Sequence, residues 1–218
     1  MSITDSELAN HRRWVDSSGS AGERLVHRAA QVRDIDLTGA ALRRARLIKA
    51  ELVNVQLASA DLSEDELLEA VLHNVILRMA NLRNARLAGI YMLHCDLTGA
   101  LMDGADLAKA QLHHVNVSGA SLRTANLVRM EAFHTSFAKA DLSGADLSHT
   151  LLSEPDLREA DISAAVLDGA SLTGARIWNL RGTPASAAGI RCDWVDLSAP
   201  GDEPHIAGPQ ALRGILGG

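Results

Sequence analysis

The sequence predicts a single elongated all-β solenoid, because a frame of five residues repeats without a slip from Ile35 to Asn179. The central position of each repeat, called i below, runs from Leu37 to Ile177; 22 of its 29 occupants are leucine and none is polar. Position i−2 is alanine in 18 of the 29 repeats. Because only 3% of the residues are aromatic, the core must be built from aliphatic side chains packed at short repeating distances.

A period of five matches neither the turn of about 3.6 residues in an amphipathic helix nor the alternation of about two residues in an ordinary strand. The chain must therefore turn once in every pentapeptide. If each pentapeptide forms one short side and a corner, the large i residue and the small i−2 residue point inward. Positions i−1, i+1 and i+2 are then left for solvent.

The resulting motif, A(D/N)LXX, resembles that of the pentapeptide-repeat family. In this family four pentapeptides close a square coil, and successive coils stack as parallel strands. The resemblance implies a right-handed quadrilateral parallel β-helix of about seven coils over residues 35–179. At about 4.8 Å between paired strands, such a rod is roughly 35 Å long.

Both ends of a solenoid expose open strand edges and a layer of core, so caps are expected. Residues 1–34 are predicted to form an N-terminal cap with a helix at about 5–16, because Thr4 and Glu7 fit a capping box. Residues 180–218 are predicted to form an irregular last coil followed by a C-terminal cap or a dimerisation tail. A terminal helix pairs two subunits in some relatives, so the resemblance leaves a homodimer open.

Three residues depart from the repeat pattern. Asp65 occupies an inward i−2 position, where a carboxylate sealed from water is costly, and we expect a bulged corner there. Ala132 is small for an i position, and Phe137 at the next i position is expected to fill the space. Pro155 has no N–H and is expected at a corner, where it breaks no ladder bond.

The charge pattern bears on nucleic-acid binding and on DNA mimicry. The net charge of −6 disfavours direct binding to nucleic acid. Several relatives resemble a DNA duplex, bind DNA gyrase or topoisomerase IV, and protect these enzymes from inhibitors. Such mimicry requires a continuous acidic surface, whereas acidic coil 55–74 is followed here by basic coil 75–94. A DNA mimic that protects a type II topoisomerase is therefore the alternative function rather than the leading one.

One side of the predicted coil differs from the others and is called the histidine–aromatic face below. Three interpretations are open for it: a solvated wall, a patch for protein binding or self-association, and a metal site at His94, His114 and His134 with Glu131 or Glu154. No metal is expected, and we expect an interface here to weaken below about pH 6. The face consists of Tyr91, Leu93, His94, His113, His114, Phe133 and His134.

The remaining features favour an interaction module over an enzyme. The sequence has no phosphate-binding loop, nucleophile elbow or dinucleotide fingerprint, so no catalytic residue and no cofactor is predicted. Cys95 and Cys192 lie far apart, and the first residues contain no long apolar segment, which favours a reduced, cytoplasmic protein without a membrane anchor. The leading hypothesis is a non-enzymatic scaffold that binds an unidentified protein through a rigid lateral surface.

Overall fold

A computed structural model describes residues 3–216 and shows a parallel β-solenoid of about eight turns with a helix at each end. The all-β fold class is confirmed. The elements in chain order are α1 (Asp5–Asp16), β1 (Gln31–Arg33), β2 (Glu51–Val53), β3 (Val71–His73), β4 (Tyr91–Leu93), β5 (Gln111–His113), β6 (Glu131–Phe133), β7 (Leu151–Ser153), β8 (Ala175–Arg176), β9 (Val195–Asp196), β10 (Ile206–Ala207) and α2 (Pro209–Leu216).

Strands β1 to β7 form one parallel sheet in sequence order, and each residue pairs with the residue 20 positions later, as Leu52 does with Leu72. The other three sides of each coil pair through single bridges with the same offset, for example Asp61 with Asn81. Four pentapeptides therefore close each coil. The i and i−2 side chains line the interior, and most are less than 3% exposed.

The ladder between coils uses three N–H groups in each pentapeptide. In the repeat centred on Leu62, Asp61 N–H donates to Ala40 O at 2.9 Å, and Leu62 N–H donates to Asn81 O at 2.7 Å. The third N–H belongs to Glu64, the i+2 residue, which has a left-handed φ of 60°. In most repeats the i−2 N–H donates within its own coil, as Ala60 N–H does to Leu57 O at 3.1 Å, but the i−2 residues that follow the strands, such as Val55 and Val115, donate no such bond. Proline is therefore compatible with the i−2 position after a strand. Pro155 accepts a ladder bond from Arg176 N–H at 2.9 Å, which confirms the prediction for this corner.

The preference for Asp or Asn at i−1 has a structural cause. The Asp141 carboxylate accepts a hydrogen bond from Ser143 N–H at 3.0 Å, and Asp161 accepts from Ser163 N–H at 2.9 Å. Each side chain thus fixes the corner that follows it, as in an Asx turn. Hydrogen bonds to Ser163 hold the pKa of Asp161 below its usual value. Many outward acidic groups therefore stabilise the coil itself.

Helix α1 covers the first turn, and the predicted capping box is present at Thr4 and Glu7. His11, a residue of α1, is completely buried, and its Nδ1 accepts a hydrogen bond from Leu25 N–H at 3.0 Å. Coil pairing begins before residue 35, because Val26 already pairs with Arg46. The five-residue pattern does not predict this turn before residue 35, because the first i position of the turn is His27 and not an aliphatic residue.

The last turn is irregular and closed by an added strand and helix. Strand β9 continues the parallel pairing of β8, and β10 pairs antiparallel with β9. Helix α2 buries Leu212 and Leu216 against this end. Residues 190–216 thus cover the layer of core that the last regular coil would otherwise expose to solvent.

The bulged corner predicted at Asp65 is wrong. The ladder is regular there, and the carboxyl group points into the core with no exposed surface. Its Oδ1 accepts a hydrogen bond from Ala45 N–H at 2.8 Å, while Oδ2 has no partner. Burial raises the pKa of Asp65 well above its usual value. The regular coil is compatible with this burial because burial disfavours the charged form of the group, and a neutral acid costs less to bury than a carboxylate.

Ala132 and Phe137 both lie in the core, with 0% and 2% of their surface exposed. The cavity that borders Phe137 has a volume of about 10 Å³. Such a gap holds about one water molecule at most. The small residue at position 132 therefore leaves the core closely packed on this side of the solenoid.

Candidate interaction face

The histidine–aromatic face lies on the seven-stranded sheet. In strands β4, β5 and β6 the middle residue points into the core, and its two neighbours point outward. This alternation places Tyr91, Leu93, His113 and Phe133 on one surface. Leu93 lies between His73 and His113 in the strand register.

Four rings on this surface form a continuous column. The centroids of His73 and Tyr91 are 5.8 Å apart, and those of Tyr91 and His113 are 5.4 Å apart. His113 then stacks on Phe133 at 5.1 Å with an interplanar angle of 13°. The two contacts of Tyr91 are tilted, with interplanar angles of 54° and 37°, whereas His113 and Phe133 are stacked.

A second column runs along the adjoining corner. His94 stacks on His114 at 5.1 Å, and His114 stacks on His134 at 5.1 Å. All three residues have left-handed backbones, with φ between 50° and 54°. Histidine is among the few types of residue other than glycine that adopt this conformation readily. All three side chains are exposed.

Polar groups extend the histidine column at both ends. On the N-terminal side, Asn74 donates to Asn54 Oδ1 at 3.2 Å, and Asn54 donates to Asp34 Oδ1 at 2.8 Å. On the other side, His134 Nδ1 lies 3.6 Å from Glu154 Oε2. The corner thus carries a column of polar and imidazole side chains over seven coils. These side chains interact with one another, so no bound ligand is needed to hold them in place.

The metal interpretation fits this geometry poorly. Within residues 3–216 no group of three or more His, Cys, Asp or Glu side chains is arranged to hold a metal ion. The imidazoles of His94, His114 and His134 lie face to face, so their in-plane nitrogen lone pairs do not converge on one point. Glu131 and Glu154 lie on opposite edges of the face.

The face also differs from the other sides of the rod in its charge, which its aromatic residues alone do not indicate. Its pentapeptides contain three glutamates, Glu51, Glu131 and Glu154, and no lysine or arginine. The pentapeptides in question are 50–54, 70–74, 90–94, 110–114, 130–134 and 150–154. On the other sides basic residues are frequent, so this surface is the uncharged to acidic side of the rod.

Charges on those other sides pair between coils. Glu66 lies 2.8 Å from Arg46 in the coil before it and 3.9 Å from Arg86 in the coil after it. Glu64 contacts both Arg43 and Arg44. The alternating charge bands therefore form ion pairs along the stack, as cross-strand neighbours commonly do.

Within residues 3–216 four ionisable side chains are buried, and they lie in different parts of the solenoid. His11 is at the N-terminal cap, Asp65 is in the coil 55–74, Cys95 follows strand β4, and Asp196 is in strand β9 of the last turn. Burial raises the pKa of the Cys95 thiol to about 11, so the thiol is protonated at neutral pH. Burial lowers the pKa of His11, so its imidazole is neutral.

Eight copies of the family described as pentapeptide repeats match the chain, over residues 28–64, 50–89, 92–127 and 135–179. The chain belongs to the pentapeptide-repeat family. No curated protein sequence matches it. Among the residues that the structure describes, no helix has the length and apolar character needed to cross a membrane.

Solved structures of pentapeptide-repeat proteins resemble the chain at low identity. Two trypsin-treated forms of QnrB1, described as a plasmid-mediated fluoroquinolone resistance protein, give TM-scores of 0.61 and 0.63 at 18% identity. The first match covers 78% of this chain and 90% of QnrB1, and the second 77% and 91%. HetL, from the cyanobacterium Nostoc and described as involved in heterocyst differentiation regulation, matches at 22% identity with a TM-score of 0.27, over 89% of this chain and 97% of HetL. The two QnrB1 matches support the fold.

Proposed function

We propose that this pentapeptide-repeat protein is a non-enzymatic interaction module that binds a partner protein through its histidine–aromatic face. The observation that carries the proposal is the unbroken column of rings from His73 through Tyr91 and His113 to Phe133. Aromatic side chains are enriched in the central part of protein interfaces.

Rigidity makes this surface suited to binding. Each ring is attached to a strand that pairs with its neighbours 20 residues away, and each inner ring is held between two others. Little side-chain freedom remains to be lost when a partner docks, which lowers the cost of association. The same packing explains why a solvent-exposed column can persist without a ligand.

The packed interior supports a role other than catalysis. The cavities among the core side chains have volumes of about 10 Å³, far below the few hundred Å³ of typical small-molecule sites. The ionisable groups that are buried within residues 3–216, His11, Asp65, Cys95 and Asp196, belong to separate regions and form no common site. The feature that this fold offers for function is its rigid outer surface, and binding of a protein is the function that such a surface suits.

DNA mimicry with protection of gyrase or topoisomerase IV remains the alternative, and the surface charges do not favour it. Arg43, Arg44 and Arg86 lie against acidic residues that a mimic would leave free to replace phosphates. Supercoiling assays with gyrase, relaxed plasmid and a quinolone test this alternative. Protection at low micromolar protein would favour the mimic, and its absence would leave the interaction module.

Affinity capture with paired variants tests the proposal itself. The face variant combines Tyr91→Gln with Phe133→Ser, which introduces the residues found one coil later in the same columns, Gln111 and Ser153. The control combines Leu101→Ser with Arg123→Ser on the opposite side, where Ser121 and Ser143 play the same role. Both variants should therefore fold.

In cells that make the protein, the wild type and the control should retain the same specific partner, and the face variant should lose at least nine-tenths of it. The capture is quantified by mass spectrometry after matched expression. Equal capture by all three proteins would refute binding through this face. If the control variant loses the partner and the face variant keeps it, the binding site lies on the opposite side of the solenoid.

A further inference from the structure

We infer that the partner presents a basic amphipathic α-helix to the histidine–aromatic face, lying along the solenoid axis. This inference rests on the proposed function, because it names the class of partner for the same surface. It follows from the dimensions of the sheet, the chemistry of its rings and the placement of its carboxylates, taken in that order.

The dimensions match one helix. Strands β1 to β7 span six intervals of about 4.8 Å, or about 29 Å, and three residues of a strand span about 10 Å. A helix has a diameter of about 10–12 Å with its side chains and rises about 1.5 Å per residue. About 20 residues of helix would therefore cover the face from end to end.

The rings favour an apolar stripe on that helix. His113 stacks on Phe133 and contacts the tilted ring of Tyr91, so the three rings form one continuous surface. The rings of Tyr91 and Phe133 are large apolar groups of the kind that dominate the energetics of interfaces. Leu93 and the 40% exposed Leu151 extend the apolar surface along the column. Aliphatic side chains of a partner are the groups that fit here.

The carboxylates flank this apolar surface and lack cations. Glu131 is at the i−1 edge of β6 and has no ion-pair partner among residues 3–216. Glu154 is at the opposite i+2 edge one coil later, and its nearest positive group is His134, which is charged only when protonated. Of the three glutamates on the face, only Glu51 forms an ion pair with an arginine, Arg33. Lysine or arginine on both sides of an apolar stripe would complement this arrangement.

The same charges argue against a second copy of this chain as the occupant. Two such faces in contact would bring carboxylates together without any lysine or arginine from the pentapeptides 50–54 to 150–154. A contact of about 29 by 10 Å on each partner would also bury only about 600 Å² in total, below the roughly 1,200 Å² of stable interfaces. That area suits a weak, exchangeable complex with a helix.

Binding of designed peptides tests the inference. The probe is a fluorescein-labelled 20-residue helix with a leucine stripe flanked by arginines, and its controls replace every arginine by glutamine or by glutamate. Fluorescence anisotropy should give a Kd in the micromolar range for the arginine peptide, at least tenfold weaker binding for the glutamine peptide and none for the glutamate peptide. Equal affinity of the arginine and glutamine peptides would overturn the charge assignment.

Protein variants locate the site. Glu131→Gln with Glu154→Gln should weaken binding of the arginine peptide at least fivefold. The matched control, Glu23→Gln with Glu203→Gln, makes the same charge change at exposed positions near the two ends of the rod and should leave the affinity unchanged. Equal effects of both pairs would show nonspecific attraction to an acidic protein and would overturn the inference.

The two proposals fail separately. If no peptide binds while the Tyr91→Gln, Phe133→Ser variant loses its cellular partner, the face is an interaction site but its partner is not a basic helix. If the arginine peptide binds yet both variants in the capture experiment behave alike, the helix site exists without the proposed cellular role.

Discussion

Replacing Asp65 by alanine should stabilise the protein, although it removes a buried hydrogen bond. Alanine is the residue at the same position in the coils before and after, Ala45 and Ala85, so the stack accommodates it. The unpartnered Oδ2 of Asp65 costs roughly 1–3 kcal/mol of desolvation. The lost bond to Oδ1 is worth about 1 kcal/mol, and Ala45 N–H still donates to Leu42 O at 2.8 Å.

The difference between these two terms is a gain in the free energy of unfolding of up to about 2 kcal/mol at pH 7, which corresponds to a rise of up to roughly 8 °C in Tm. The gain should grow with pH. Because burial raises the pKa of Asp65, the folded protein keeps a proton that the unfolded chain releases above about pH 4. The wild type therefore loses stability as pH rises from about 4 toward the raised pKa, and the Asp65→Ala variant does not.

Urea unfolding at pH 4 and at pH 7 measures this difference, with Asp61→Ala as the control. Asp61 lies four residues earlier, and its Oδ1 accepts bonds from Ser63 N–H, Ser63 Oγ and Asn81 Nδ2, so its removal should destabilise by about 1 kcal/mol. Destabilisation of the Asp65 variant at pH 7, or a difference from wild type that does not change between the two pH values, would refute a neutral buried acid.

Three further outcomes are expected. Leu82→Ala removes a core side chain that is 1% exposed and should lower the free energy of unfolding by about 2–5 kcal/mol in urea titrations; a loss below about 1 kcal/mol would contradict a closely packed ladder. Thr4→Ala removes the cap of α1 and should cost about 1 kcal/mol, read from the fluorescence of Trp14, whereas no change would show that the cap adds nothing. Because burial lowers the pKa of His11, its contribution to stability is full above about pH 6.5 and is lost as pH falls, so the stability of the His11→Asn variant should depend less on pH between pH 7 and 5. The Glu7–His27 pair is present in both proteins and does not contribute to this difference. Identical pH profiles of the two proteins would contradict a neutral His11.

The regular part of the fold was predictable because one physical rule applies to every repeat. A large aliphatic residue at i and a small one at i−2 fit the interior of a coil, and the residues from Leu37 to Ile177 obey this rule. The ends were less predictable. His27 occupies an i position in the first turn because it pairs with Glu7 of the helix, and such a contact between distant residues leaves no mark on the five-residue pattern.

The error at Asp65 has a related cause. The sequence shows an acidic residue at an inward position, but the protonation state that makes burial tolerable depends on how completely the neighbouring coils seal it. The histidine–aromatic face was predictable as a set of columns, since residues 20 apart align. The stacking of His114 between His94 and His134 required the side-chain geometry, and this stacking is what disfavours a metal site.

Site-specific photocrosslinking tests the central claim most directly. A photoreactive amino acid is placed at His114 in the middle of the face, or at Thr124, an exposed position with a similar left-handed backbone on the opposite side. After irradiation in cells that make the protein, the account predicts a discrete crosslinked partner from position 114 and none from position 124. Crosslinks from position 124 alone, or none from position 114, would contradict binding through the histidine–aromatic face.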